Sequence, residues 1–320
     1  MRINRRHQKK TSNGFTMLIK SGLHLIIVLI FIFSICAIFA NFDRSLEIER
    51  RKKTKIKNQN KTINKINMSI QLKLPVPKKI LSDNNIKIEK SKALGYRTFG
   101  IHLAPYKQAG RNVCSHASAG CIASCLNTSG HGQFDNTQKA RTRKTKAFFT
   151  NRAKFLERLY NEITNKRKNV PKINKLEPVF RLNLTSDLPW HKIALDHKNE
   201  KSIINTFSDL KFYDYTKDLK RYFNFLFKTD SFPDNYHLIF SRSEKTNLSI
   251  IKEIIKNGGN VAIPFRCKSA KDLPKFWNDI PVIDGESHDL RFLDPKSKIV
   301  GLPMKGKASK DLTGFVQEIS

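Results

Sequence analysis

The stretch Asn112–Asn127, "NVCSHASAGCIASCLN", carries Cys114, Cys121 and Cys125, three of the chain's five cysteines. Three thiolates on one loop suit an iron–sulfur cluster with one iron left open. Small neighbours such as Ala117, Gly120 and Ala123 would let backbone approach it. Zinc is the alternative: the three sulfurs with His116, His131 or His102 would close a Cys3His site. A disulfide needs an oxidising compartment. Plain packing is the fourth reading, because free cysteine is among the most buried residue types. Spacing limits the geometry. On one continuous helix Cys114 and Cys125 would stand roughly 16 Å apart along the axis. A shared metal therefore needs the chain to fold back between Cys114 and Cys121. Only Cys121 and Cys125, at i and i+4, should then sit on a helix, with three sulfurs within about 4 Å of one point.

The elements that would position this loop are strands alternating with helices. Strand patterns cover Tyr96–Pro105, Pro178–Leu184, Lys211–Thr216, Asn235–Ser243, Gly259–Arg266, Ile280–Gly285 and Lys298–Lys305. A helix is predicted over Gln138–Lys166, where Phe148, Phe155, Leu156, Leu159 and Ile163 approximate a 3.6-residue period. Another follows Asn247 as cap and stops at Gly258. Such alternation predicts a parallel α/β fold. Six or seven strands suit a full or partial β/α barrel; a doubly wound open sheet is the alternative. No G-x-G-x-x-G or P-loop pattern occurs.

Polar residues gather where these strands end, the face on which parallel barrels carry their sites. Asp187, Glu244, Asp284 and Lys305 are the candidate catalytic groups. His102, Asn183, Ser186, Tyr215, Arg242 and His288 are the candidate substrate contacts. In "DGESHD" a strand would align Asp284, Glu286 and His288 on one face, a carboxylate–His group able to move protons or bind metal. A hydrogen-bonded corner is the bland reading. Trp190 would stack a ligand or pack as a lid on the core. Arg141 and Lys144, on a basic helix start, would meet phosphate or solvent.

The ordered series "YRTFGIHLAPYKQAGRNVCSHASAGCIASCLNTSGHG", "PVFRLNLTSDLPW", "FYDYTK", "NYHLIFSRSE", "GGNVAIPF", "PVIDGESHDLRFLDP" and "VGLPMKGKA" resembles the gene product 88 family of bacteriophage and prophage proteins. The resemblance runs from about Tyr96 to Val316 and implies no particular reaction. In position only, the cysteines are similar to those of radical S-adenosylmethionine enzymes, which also follow the first barrel strand. The spacing C-x6-C-x3-C departs from the C-x3-C-x2-C of those enzymes, and their "GGE" motif is absent. S-adenosylmethionine is thus a cofactor expected from position alone.

Residues 1–21 form a basic tail. Gly22 to Phe42 are apolar and uncharged over a length that spans a roughly 30 Å hydrocarbon core. They are expected to form a transmembrane helix, with a cleaved signal as the alternative. Residues 43–67 are charged and Asn-rich, a disordered linker by composition, and 68–320 form the α/β domain. The domain is expected in the cytoplasm, anchored if residues 1–67 are translated and free if translation starts at Met68. With 60 Lys and Arg against 27 Asp and Glu, the formal charge is +33. Non-specific nucleic-acid binding follows from such a charge. A codon bias toward Lys, Asn, Ile and Phe would also raise it. Two functions are carried forward: an iron–sulfur enzyme of unknown substrate, and a nucleic-acid-binding protein with structural zinc or no metal.

Overall fold

A computed structural model describes residues 47–59, 74–83, 89–195, 200–229 and 232–319. The chain divides into two units, Met1–Gln71 and Leu72–Ser320. The basic tail and the apolar run Gly22 to Phe42 lie outside the described residues. Among the described residues no helix is long and apolar enough to cross a membrane. Residues 47–59, expected within a disordered linker, are helical. Glu47–Arg51 and Glu49–Lys53 pairs one turn apart support that helix.

In the second unit the strands are β1 (Tyr96–Gly100), β2 (Glu177–Arg181), β3 (Lys211–Thr216), β4 (Tyr236–Ser241), β5 (Val261–Phe265), β6 (Phe276–Trp277), β7 (Ile280–Asp284) and β8 (Ile299–Pro303). They form one sheet in the order β1-β2-β3-β4-β5-β8-β7-β6. Every pair is parallel except β6 with β7. The first five strands follow chain order without reversal, and the order reverses only beyond β5, where β8, β7 and β6 run back. A closed barrel would need the end strands β1 and β6 to pair. They do not, and β1 instead takes an antiparallel bridge from Ser82 at Gly100.

Alternation along the strands makes two faces. Phe99, Phe180, Phe212, Phe240 and Ile263 pack on the helices, here named α1 (Ala119–Ala123), α2 (Asp135–Thr150), α3 (Arg152–Asn174), α4 (Ile203–Thr206), α5 (Leu219–Leu226) and α6 (Leu248–Lys256). The predicted helix Gln138–Lys166 is two helices, α2 and α3, broken at Asn151 where φ is −139° and ψ 53°. Val179, Tyr213, Ile239, Ala262 and Val300 point to the other, inner face. That face is covered by the chain itself. Leu290 and Phe292, from the segment after β7, pack on Val179, Tyr213 and Tyr96.

Candidate functional site: the mouth under the cysteine loop

Parallel strands bring all their carboxyl ends to one side, so the loops after β1, β2, β3, β4 and β8 meet. The loop after β1 runs beside the loop after β2: Leu184 N–H donates to Ile101 O and Asp187 N–H to Val113 O, at 3.2 and 2.8 Å. Cys114 lies in this pairing. Its backbone N–H donates to Asn112 Oδ1 (2.9 Å), its Sγ accepts from Tyr106 N–H (3.4 Å), and its S–H faces Thr185 O at 3.8 Å.

The chain then turns into α1 with Ser118 as N-cap, its Oγ accepting from Cys121 N–H at 3.3 Å. Glu244, from the loop after β4, clamps this start. It accepts from Ser118 Oγ at 2.5 Å and from Gly120 N–H at 2.9 Å. Burial acts to raise the Glu244 pKa, but these donors outweigh it and hold the carboxylate below its usual range. Gly120 is required here. A Cβ would strike Thr313, Phe315 and the Glu244 carboxylate, each within 3 Å.

Cys121 is inside α1, but Cys125 is not. The helix ends at Ala123, Ser124 is its C-cap and Cys125 is extended (φ −60°, ψ 129°). The expected i, i+4 pair on one helix is therefore corrected. A five-residue helix, AGCIA, capped by Ser118 and Ser124, has too few bonds to carry a second turn. Among the described residues no group of three or more His, Cys, Asp and Glu side chains stands ready to hold a metal ion. The expected convergence of three sulfurs on one point is not present.

The three thiols are half-buried and bear on one another electrostatically. Burial, then Asp187 and the other two thiols, push Cys114 up to about 12, against the Tyr106 N–H. Burial raises Cys121 against the opposing pull of Lys217. Burial raises Cys125 too, opposed by Asn127 N–H, Arg141 and Lys307. All three therefore stand as neutral thiols, and a metal binding here would displace their protons.

Beneath them lies Lys217, which the sequence reading passed over. Its Nζ donates to Ser241 Oγ (2.8 Å), Ser241 O (3.2 Å) and Arg242 O (3.0 Å), and stands 4.9 Å from the Phe315 ring centre. Burial lowers its pKa, while Cys121, Asp187 and Glu244 pull the other way. Its signal was legible as the first residue after β3, on the inner-face register of Tyr213 and Tyr215.

The remaining candidates separate into three groups. Asp187 is at the mouth but already engaged: it pairs with the buried Arg221 and accepts from Lys217 N–H at 3.0 Å. Arg242 ties β4 to the C-terminal segment, donating to Gly314 O (2.9 Å) and Phe315 O (3.2 Å). Asn183 and Ser186 form a buried knot beside it. Asn183 Oδ1 accepts from Ser186 Oγ, Leu188 N–H and Trp190 Nε1, and Asp214 accepts from Asn183 N–H. Trp190 is fully buried in the core.

His102 and Tyr215 line the inner face. His102 Nδ1 is buried without a partner, and burial together with Arg141, Lys144 and Arg181 pushes its pKa down to about 3. Tyr215 donates to Asp289 Oδ1 (3.2 Å), and the Arg181 guanidinium lies 4.4 Å from its ring centre. Asp289 also accepts from Arg181 Nη1 at 2.6 Å. Arg181 was not singled out from sequence, and Asp289 stood there only as the last residue of "DGESHD".

Asp284, Lys305 and His288 sit apart, at the β7–β8 side. β7 ends at Asp284, so the strand alignment expected for Asp284, Glu286 and His288 does not form. Asp284 instead accepts from Glu286 N–H (2.6 Å), Lys305 pairs with Glu286 (2.6 Å), and His288 Nδ1 accepts from Leu290 N–H (3.2 Å). His116 is exposed beside Ser115 and Asp218, and His131 stacks edge-on to Phe134.

The gene product 88 family model matches residues 72–318, and the chain belongs to that family. No curated protein and no solved structure matches it.

Proposed function

We propose that this gene product 88 protein is an enzyme whose reaction centre is the mouth of a partial barrel, with Cys114, Cys121 and Cys125 as ligands of an iron–sulfur cluster. The observation that carries this reading is the loop's position. It crosses the carboxyl ends of the strands and is pinned there by Glu244, with Lys217, Asp187 and Arg242 directly around it. The single direction of winding from β1 to β5 favours the partial-barrel reading of the sheet.

The donor set fits such a group in kind: three half-buried thiols on one loop, flanked by Ala and Gly. The cluster would supply an open iron for a small molecule such as S-adenosylmethionine. The chain's own residues do the rest. Glu244 fixes the start of α1, so Cys121 is held over the mouth. Lys217 keeps one positive charge beneath Cys121 and partly offsets three thiolates. Loading must draw Cys114 away from Tyr106 and Thr185, because the sulfurs are not gathered at one point. Each thiol must also lose a proton, so metal uptake should weaken as pH falls.

Anaerobic purification followed by iron, zinc and acid-labile sulfide analysis tests the proposal. Wild type should carry iron and sulfide, and Cys→Ser at all three positions should remove both. Zinc without sulfide would replace the cluster with the Cys3His reading. A wild type as metal-free as the triple variant would end both.

A further inference from the structure

We propose that the surface strip beside Cys125, formed by Leu126, His131, Phe134, Lys307 and Lys310, binds single-stranded nucleic acid. The strip is continuous. Residues Leu126–Thr128 pack on Gly130–Gln133 and on Gly306–Lys310, and Gly130–Gln133 pack on the start of α2. Gly306 sits against Ser129 with no room for a Cβ. Lys307 and Cys125 are close enough to influence each other electrostatically.

Phe134 is the informative residue. It occupies the N-cap of α2 and makes no side-chain capping bond. Ser, Thr, Asp and Asn serve there because their oxygen accepts a free N–H; a phenyl ring forfeits about 1 kcal/mol of that stabilisation. The residue stays 55% exposed, and the ring it meets is the exposed His131 at 5.8 Å. Leu126 next to Cys125 is 57% exposed. The fold gains little from either, while a partner with flat apolar faces would gain from both.

Charge selects the partner. Lys307 and Lys310 form no ion pair among the described residues. The exposed acid on the strip is Asp135, in the first turn of α2. Asp311 is turned inward onto Thr313 Oγ1 and Val316 N–H. An exposed ring and two lysines without ion pairs among the described residues, joined through the packed segment Leu126–Thr128 on a chain of formal charge +33, offer both base stacking and phosphate neutralisation. A duplex hides its base faces from such a ring, and an acidic peptide would engage the lysines without using it.

The test is anisotropy of a labelled single-stranded oligonucleotide and its duplex, with full-length protein at about 0.15 M salt. Wild type should bind the single strand more tightly. Phe134→Ala should weaken it about tenfold with duplex binding unchanged, and Phe134→Trp should restore it. Lys307→Gln with Lys310→Gln should reduce the salt slope by about 1.4, two phosphate contacts at roughly 0.7 each. Equal affinity for strand and duplex, a silent Phe134→Ala, or competition by polyglutamate as strong as by oligonucleotide would each overturn the inference. Metal content is measured on the same samples. Binding that depends on Phe134 in metal-free protein would keep this inference and remove the cluster.

Discussion

At the mouth, the Asp187–Arg221 pair apart, polar groups meet loop backbone and half-buried thiols. Glu244 accepts one O–H from the N-cap and one N–H from the first turn of a five-residue helix, and Lys217 ends on two carbonyls and a hydroxyl. On the inner face, by contrast, charge is sealed by charge. Asp289, 3% exposed, takes Arg181, Tyr213 and Tyr215, and Arg291, fully buried, takes Asp294 at 3.1 Å. The first region is built from hydrogen bonds to loop backbone and hydroxyls that one small rearrangement could exchange. The second is built from pairs whose separation would strand a charge in a dry interior. Change in shape is therefore expected at the mouth, and stability on the inner face.

The strongest attempt to break that contrast is Asp289→Ala. It leaves Arg181 buried without its carboxylate and should cost about 3–5 kcal/mol, read by urea unfolding. A loss below about 1 kcal/mol would show that the inner face is not the stabilising region.

Next in size is a pH effect at the knot between the two regions. Burial pushes the Asp214 carboxyl up to about 7, outweighing Arg181, Asn183 N–H and Tyr236. Its folded pKa lies above the unfolded value near 4, so the folded state holds the extra proton. Stability from this group is full below about pH 4 and is lost as pH rises toward 7. Asp214→Asn should remove that dependence. The stability difference between variant and wild type should shift by about 4 kcal/mol at most across the window. A pH-independent difference would refute the assignment.

Glu244→Gln should act least on the whole and most on the loop. The neutral amide keeps its shape but weakens two charge-assisted bonds, for a global loss of about 1 kcal/mol. Hydrogen exchange should rise at residues 118–125 and stay unchanged on β2 and β3. If the global loss matched that of Asp289→Ala, the mouth would be no looser than the inner face.

Sequence alone made much of this visible. Strand β3 was read at both ends because Lys211–Thr216 alternates between two buried faces. The parallel class followed from strand–helix alternation. Boundaries failed where tertiary contacts decide them: the break at Asn151 carries no Gly or Pro, and β6 is two residues long. The site was half legible. Cysteines and Glu244 announce themselves by type. Lys217 looked like one lysine among many, and Asp289 looked like the tail of "DGESHD". Its partner Arg181 is 108 residues away, a distance no local pattern spans.

That separation also has a meaning in time. At roughly 5–20 residues per second, a ribosome needs about 5–20 s to move from Arg181 to Asp289. In that interval β3 to β5 emerge and can join β1 and β2 with their helices, while the inner face waits uncovered. An unpaired arginine keeps that waiting surface wet and discourages another chain from docking on it. Delivery of Asp289 then closes the face, so the segment after β7 acts as the step that commits β1 to β5 to a single structure.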